Sequence, residues 1–378
     1  MTSRRTLLQG AVLGAATALL PTAARAATAP AAGPVLRLPA PTGPHPVGLR
    51  TVHLTDPTRT DPWEGGAREV MLTVLYPARD VQGRPRVPQL TPAAAREFAD
   101  LAPLVHPGLP TPGTVDWGAV LTHGHLAAPP LPGRLPALLY SPGGGDSRTL
   151  GTSLAEDLAG HGRVVVLVDH PGDASQVDLP GGMRDTVLRG EPDPATFRTM
   201  IDTRVGDLRL VLDRVLGDGL AGLPPATTAG IYGHSAGGTA AVSTAHADRR
   251  VRAVANLEGY LDLDPLDGFD RPLLLFRTDG FDRPLLLFRT DGFDGADRLT
   301  RSWAGLAGER ALLAGSGHWA FTDYAALVPA LQAAGLVTSA TRAALVGTAD
   351  PAARLAALRR RLRGFFDTHT GCARSARR

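Results

Sequence analysis

The chain has 378 residues, 43% hydrophobic and 20% charged, enough apolar material for a large buried core despite 44 glycines and 33 prolines. Its 39 basic residues, all arginine, face 36 acidic ones; setting aside Arg4, Arg5 and Arg25 near the start, the signs balance, which argues against a nucleic-acid partner. Cys372 is the only cysteine, which excludes an intrachain disulfide and any cysteine-based metal site.

Residues 1–26 read as an export signal. Ser3-Arg4-Arg5 opens them, an apolar stretch runs from Ala11 to Leu20, and Ala24-Arg25-Ala26 has the form of a cleavage site. The paired arginines resemble a twin-arginine signal, so the expected destination is extracellular. The apolar stretch is too short to span a bilayer comfortably. Residues 27–69 are expected to be an extended lead-in, rich in Ala and Pro up to residue 48, and 70–370 a single domain. Val70–Tyr76 has the composition of a strand. The proline-rich stretch 77–134 is expected to be irregular cover with a short helix at 92–102.

From Leu135 the pattern turns regular. Leu135–Tyr140 and Arg163–Val168 read as strands, with a helix over Thr149–His161 between them. Thr196–Leu216 carries Met200, Val205, Leu208, Val211, Leu212 and Val215 at helical spacing. Ala229–Tyr232 is a short strand, 236–246 an Ala-rich helix, and Val251–Leu257 another strand. Strands alternating with helices predict an α/β fold, with a mostly parallel central sheet and helices on both faces.

Residues 267–294 contain a tandem duplication. DGFDRPLLLFRT runs from Asp267 to Thr278, repeats letter for letter from Asp279 to Thr290, and restarts as DGFD from Asp291 to Asp294. A period of 12 is too short for a solenoid, so one strand and its turn have been doubled. Either Pro272–Phe276 or Pro284–Phe288 fills the strand position. The last predicted helix, about 351–366, has Leu355, Leu358, Leu362, Phe365 and Phe366 on one side and arginines around them, as a closing helix with a solvated basic face would.

Gly233-His234-Ser235-Ala236-Gly237-Gly238 joins a strand to a helix. A serine hydroxyl is a poor nucleophile until it is positioned beside a base. A sharp strand-to-helix turn does the positioning in α/β-hydrolase folds, and the crowding there calls for small flanking residues. Ser235 is therefore the candidate nucleophile. The base should follow it, and His318, in Gly-Ser-Gly-His-Trp just after the apolar run Ala311–Ala314, is the candidate. The acid that orients the base stays open on spacing: Glu258 ends one strand, Asp279 and Asp291 end the two copies of the repeated one, and Asp262 and Asp264 follow Glu258 closely. Two backbone N–H groups can form an oxyanion site, that of Ala236 and one from the turn Ser141-Pro142-Gly143-Gly144-Gly145. That turn is not a phosphate loop, because no Lys-Ser/Thr follows. His123 and His125 alternate without an adjoining carboxylate cluster, so neither metal nor cofactor is expected. Asp169-His170 reads as a loop-ordering pair, His234 as structural, and Trp319 and Tyr260 as core or pocket residues.

Leu139-Tyr140-Ser141-Pro142-Gly143-Gly144-Gly145, Asp157-Leu158-Ala159-Gly160-His161-Gly162, Val168-Asp169-His170, the Ser235 turn, Asn256-Leu257-Glu258-Gly259-Tyr260 and His318-Trp319-Ala320-Phe321-Thr322-Asp323-Tyr324 form a set. Together they resemble platelet-activating-factor acetylhydrolases of the plasma (isoform II) type and their bacterial secreted relatives, over about residues 70–367. The resemblance implies an α/β-hydrolase fold, no metal, and hydrolysis of short or oxidised acyl esters of phospholipids. It also implies that the acid is Glu258, where the family normally has Asp, and that the first-turn oxyanion donor is Gly144. The family has one copy of the Pro-Leu-Leu-Leu-Phe strand, so the doubling is a departure. The expected partner is a small-molecule or lipid ester, with transient contact at a lipid surface. Two other readings stand beside this one: a catalytically degenerate binding protein, and a polyester or long-chain lipid depolymerase.

Overall fold

The computed structural model describes residues 34–261, 285–304 and 308–371. These belong to one compact unit that begins at Pro34. Residues 1–26, expected to be an export signal, the first copy of the duplication, Asp262, Asp264, Asp279 and Cys372 lie outside the described residues.

The strands are β1 (Val47–Thr60), β2 (Ala67–Pro77), β3 (Arg86–Pro88), β4 (Leu121–Leu126), β5 (Ala137–Ser141), β6 (Val164–Asp169), β7 (Gln176–Leu179), β8 (Gly182–Asp185), β9 (Ala229–His234), β10 (Val251–Leu257), β11 (Leu285–Gly292) and β12 (Glu309–Gly317). Ten of them form one sheet in the order β12-β11-β10-β9-β5-β6-β2-β1-β4-β3, and β7-β8 is a separate hairpin. From β12 to β6 all neighbours are parallel; β2 then runs antiparallel to both β6 and β1. The helices are α1 (Pro92–Val105), α2 (Thr152–Gly160), α3 (Pro194–Leu216), α4 (Ala236–Ala247), α5 (Ala296–Ser302), α6 (Tyr324–Ala333), α7 (Ser339–Val346) and α8 (Pro351–Thr370). None among the described residues is long and apolar enough to cross a membrane.

Successive side chains of a strand point to opposite faces, and here both faces are buried. Leu139, Ile231 and Val254 pack with Met200, Leu208, Val211 and Leu212 of α3 and Ala240, Ala241 and Val242 of α4. Their neighbours Leu138, Tyr140, Tyr232 and Ala255 pack with Leu154 and Leu158 of α2 and Leu358, Leu362 and Phe366 of α8. This is the α/β-hydrolase arrangement. After β6 the chain recrosses β5 and adds β9 on its far side, so the topology reverses between β5 and β9. The crevice at such a reversal, at the carboxyl ends of the strands, is where α/β sheets place their sites.

Two expectations change. The lead-in 27–69 contains β1, which pairs along its length with β2 and joins β4, so the sheet begins well before residue 70. Its burial fades from Val47 towards Thr60, and Pro57 interrupts it, which hides the strand from a reading based on apolar alternation. The stretch 77–134 does contain the helix, running to Val105, but it also supplies β3 and β4 at the sheet edge. Those strands are short and half exposed, so they carry little apolar pattern. Phe98 of α1 and Trp117 then cluster with Tyr324, Leu327 and Val328 of α6 and Leu345 of α7, which seats the cover over the His318 loop.

Candidate active site

Ser235 sits between β9 and α4 with φ 52° and ψ −124°. An L-residue held there carries strain of about 1–3 kcal/mol, sustained only by packing around it. That packing leaves no room for side chains on the flanking glycines. A Cβ on Gly233 would lie 2.1 Å from the Gly237 carbonyl oxygen, and one on Gly237 would lie 2.0 Å from that of Ser141. The glycines therefore let the turn fold onto itself and onto the end of β5. Ser235 N–H donates to Leu257 C=O at 2.9 Å, tying the turn to the end of β10.

His318 follows β12. Its Nδ1 lies 2.8 Å from Glu258 Oε2, and both side chains are buried. With Nδ1–H donated to the carboxylate, the lone pair is on Nε2. Burial, and then the neighbouring His234, push the His318 imidazole below its ordinary range, although the Glu258 bond pulls it up; the ring is neutral at pH 7. His234 Nε2–H donates to the His318 carbonyl at 3.0 Å, so the residue before Ser235 holds the backbone of His318. Phe293 stacks on the His318 ring with centroids 4.2 Å apart, and Trp319 meets its edge.

Glu258 is itself fixed. Its φ is 63°, its N–H donates to Phe288 C=O at 2.8 Å, and Thr290 directs both its N–H and its hydroxyl at Oε1. Phe288 and Thr290 belong to the second copy of the duplication, which occupies the strand position as β11 between β10 and β12. Asp291 faces elsewhere. It accepts from the N–H groups of Gly315 and Ser316, at 2.9 and 3.2 Å, and so pins the end of β12 that leads to His318. These N–H bonds, Gly315 first, hold its carboxyl below the ordinary range.

Gly144 stands beside Ala236, since a Cβ built on it would lie 3.7 Å from Ala236 Cβ. The turn Gly143–Asp146 is closed by Asp146 N–H to Gly143 C=O at 3.2 Å, with Gly145 at φ 75°, where only glycine is unstrained. Asp169 anchors the chain after this turn by accepting from Arg148 N–H at 2.6 Å and pairing with the Arg148 guanidinium.

Beneath the turn lies a charged array that sequence reasoning missed. Ser141 Oγ is 2.9 Å from His170 Nε2, His170 Nδ1 is 3.0 Å from Asp207 Oδ2, and Arg68 pairs with Asp207 at 2.7 Å. Arg204 pairs with Asp173 and donates to the carbonyls of Pro142 and Gly143. All of these side chains are buried. Burial would raise the Asp207 carboxyl, but Arg68 overrides it and keeps Asp207 ionised. Burial, then the Arg204 charge, push His170 down and keep it neutral. The signal was present in α3: Arg204 and Asp207 fall on its buried face among Met200, Leu208 and Val211, where a charge demands a partner.

The remaining candidate residues have local partners. His123 Nε2 meets Leu38 C=O at 3.0 Å and His125 Nδ1 meets Arg84 C=O at 2.8 Å, so each ring serves a different backbone segment. Tyr260 packs on Phe293, and Trp319 packs on the buried His106 at the end of α1.

No family model matches the chain. A stretch of 130 residues, 34% of the chain, is 34% identical to a probable 1-alkyl-2-acetylglycerophosphocholine esterase of Arthroderma benhamiae, and it spans only 32% of that relative's length. A ferulic acid esterase from Streptomyces cinnamoneus superposes with a TM-score of 0.71 at 32% identity, covering 89% of this chain and 93% of that one. By fold, identity and coverage, the chain belongs to the α/β-hydrolase esterases that include the Streptomyces cinnamoneus enzyme.

Proposed function

We propose that the protein hydrolyses carboxylic esters through an acyl-enzyme on Ser235. The observation that carries this reading is the Glu258–His318 bond of 2.8 Å, with the His318 backbone held by His234, the residue before a serine with strained backbone at the carboxyl end of the sheet. As Ser235 Oγ attacks the ester carbonyl, its proton passes to His318 Nε2. Glu258 holds the ring through Nδ1 and stabilises the imidazolium that forms. The N–H groups of Gly144 and Ala236 receive the oxyanion. His318 then returns the proton to the leaving alkoxide, leaving the acyl group on Ser235. Water attacks next and gives a proton to His318, which passes it to Ser235 Oγ as the acyl–Oγ bond breaks and the acid leaves.

The substrate class we favour is a short-acyl lipid or phospholipid ester, supported by the acetylglycerophosphocholine esterase relative. The test is turnover of p-nitrophenyl acetate, lost in Ser235→Ala and in His318→Ala. Full activity in both variants would remove the mechanism. Chain-length series then separate a short-acyl pocket from a depolymerase, which would accept long acyl groups. We also propose export by the twin-arginine route. Replacing Arg4 and Arg5 with lysine should retain the protein inside the cell, and unchanged secretion would contradict it.

A further inference from the structure

The turn that carries Gly144 is held from behind by groups the chemistry above leaves idle. The Gly143 carbonyl accepts from Asp146 N–H at 3.2 Å and from Arg204 Nη2 at 2.9 Å, so both of its lone pairs are engaged. A trans peptide is planar, and its C=O and N–H point in opposite directions. The Gly143 carbonyl and the Gly144 N–H share one peptide unit. With that carbonyl turned inward to the buried guanidinium, the Gly144 N–H is turned outward, and Gly144 stands beside Ala236.

Arg204 is aimed in its turn. Its Nε donates to Asp173 Oδ2 at 2.8 Å, its Nη2 pairs with Asp173 Oδ1, and its Nη1 reaches Pro142 C=O and, at 3.4 Å, Ser141 Oγ. Ser141 has one proton to give. His170 spends its Nδ1–H on the ionised Asp207, so its Nε2 lone pair accepts a hydrogen bond from the Ser141 O–H. The serine oxygen is then left as an acceptor facing Arg204. Every member of the array has a defined donor or acceptor role, and the array ends on the two carbonyls of the turn.

We infer that Arg204 is a positioning residue for ester hydrolysis: its guanidinium fork, aimed by Asp173, sets the direction of the Gly144 N–H. The inference rests on the Ser235 chemistry proposed above. Lysine keeps the charge but lacks the planar fork that serves two carbonyls and a carboxylate in fixed directions.

The test measures Arg204→Lys and Asp173→Asn with p-nitrophenyl acetate, counting working sites by fluorophosphonate labelling carried to completion. An oxyanion donor acts on the transition state, so kcat per labelled site should fall about ten- to hundredfold in Arg204→Lys, with KM within about twofold. Asp173→Asn preserves shape and should show a smaller fall of the same kind; it carries the test if the lysine variant does not fold. A merely structural role would reduce the number of sites that label and leave kcat per site unchanged, and that result overturns the inference. Ser235→Ala runs alongside. Turnover surviving in it overturns the mechanism as a whole, whereas an inactive Ser235→Ala beside a fully active Arg204→Lys overturns the role of Arg204 alone.

Discussion

Two serine–histidine–carboxylate sets lie near each other in this molecule. In one, Glu258 holds His318 at the carboxyl end of the sheet, and His234, the residue before Ser235, holds the His318 backbone. In the other, Asp207 holds His170, and His170 meets Ser141 at 2.9 Å. By hydrogen-bond pattern alone, the Ser141 set is the more complete of the two. Its environment argues the reverse. Ser141 is fully buried within β5, in a regular strand, and its hydroxyl is shared between His170 and Arg204. Ser235 is half-buried, outside any regular element, and held in a backbone conformation that costs energy. A nucleophile needs access and a prepaid geometry as well as a base. The buried set has instead the properties of a scaffold, in which every polar atom is committed to another.

The largest predicted effect separates the two sets directly. Ser235→Ala should lower ester turnover by about 10⁴-fold or more, whereas Ser141→Ala should lower it by less than about tenfold. The opposite order would exchange the two roles. Next in size, Glu258→Gln removes the charge that fixes the His318 tautomer and should cost about 10³–10⁴ in kcat. Asp291→Asn, which disturbs only the end of β12 before His318, should cost less than about tenfold; a larger loss there than at Glu258 would move the acid to Asp291.

The pH profile sharpens the contrast. His318 acts as a base only when neutral, and burial depresses its folded value, so activity is present above that value and lost as pH falls through it. The acid limb of kcat/KM should therefore lie below the ordinary histidine value of about 6.5. A limb above 6.5 would mean that the Glu258 bond outweighs burial. A far smaller effect than at Glu258 is expected from Thr290→Val. It removes one hydroxyl bond to Glu258, worth about 1 kcal/mol, and leaves the backbone N–H in place, so kcat should fall by about three- to tenfold.

Much of this was legible in the sequence where local pattern and tertiary role coincide. Val251–Leu257 is a strand over those same residues, because every position but Arg252 is buried and small or branched apolar residues dominate. The turn at Ser235 was readable because its glycines answer a local steric demand. The acid was not settled by spacing. What separates Glu258 from Asp291 is the direction of a side chain at the end of its strand, a consequence of register across β10, β11 and β12. The strands β1, β4 and β3 at one end of the sheet escaped because half-exposed strands need little apolar alternation. Arg204 and Asp207 escaped because their partners lie on β2, the β5 turn and the chain after β6, and a helical pattern names its own face but not what meets it.

The doubled segment shows the same limit. Its two copies are identical, so no reading of composition chooses between them. Only the pairing of Leu285–Phe288 with Val254–Leu257 shows which copy brings Thr290 to Glu258 and Phe293 to His318.

The most direct test of the central claim is to label the folded protein with a fluorophosphonate and map the adduct by peptide mass spectrometry. A single adduct on Ser235 is expected, absent after His318→Ala. An adduct on Ser141, or a folded protein that takes no label, would contradict it.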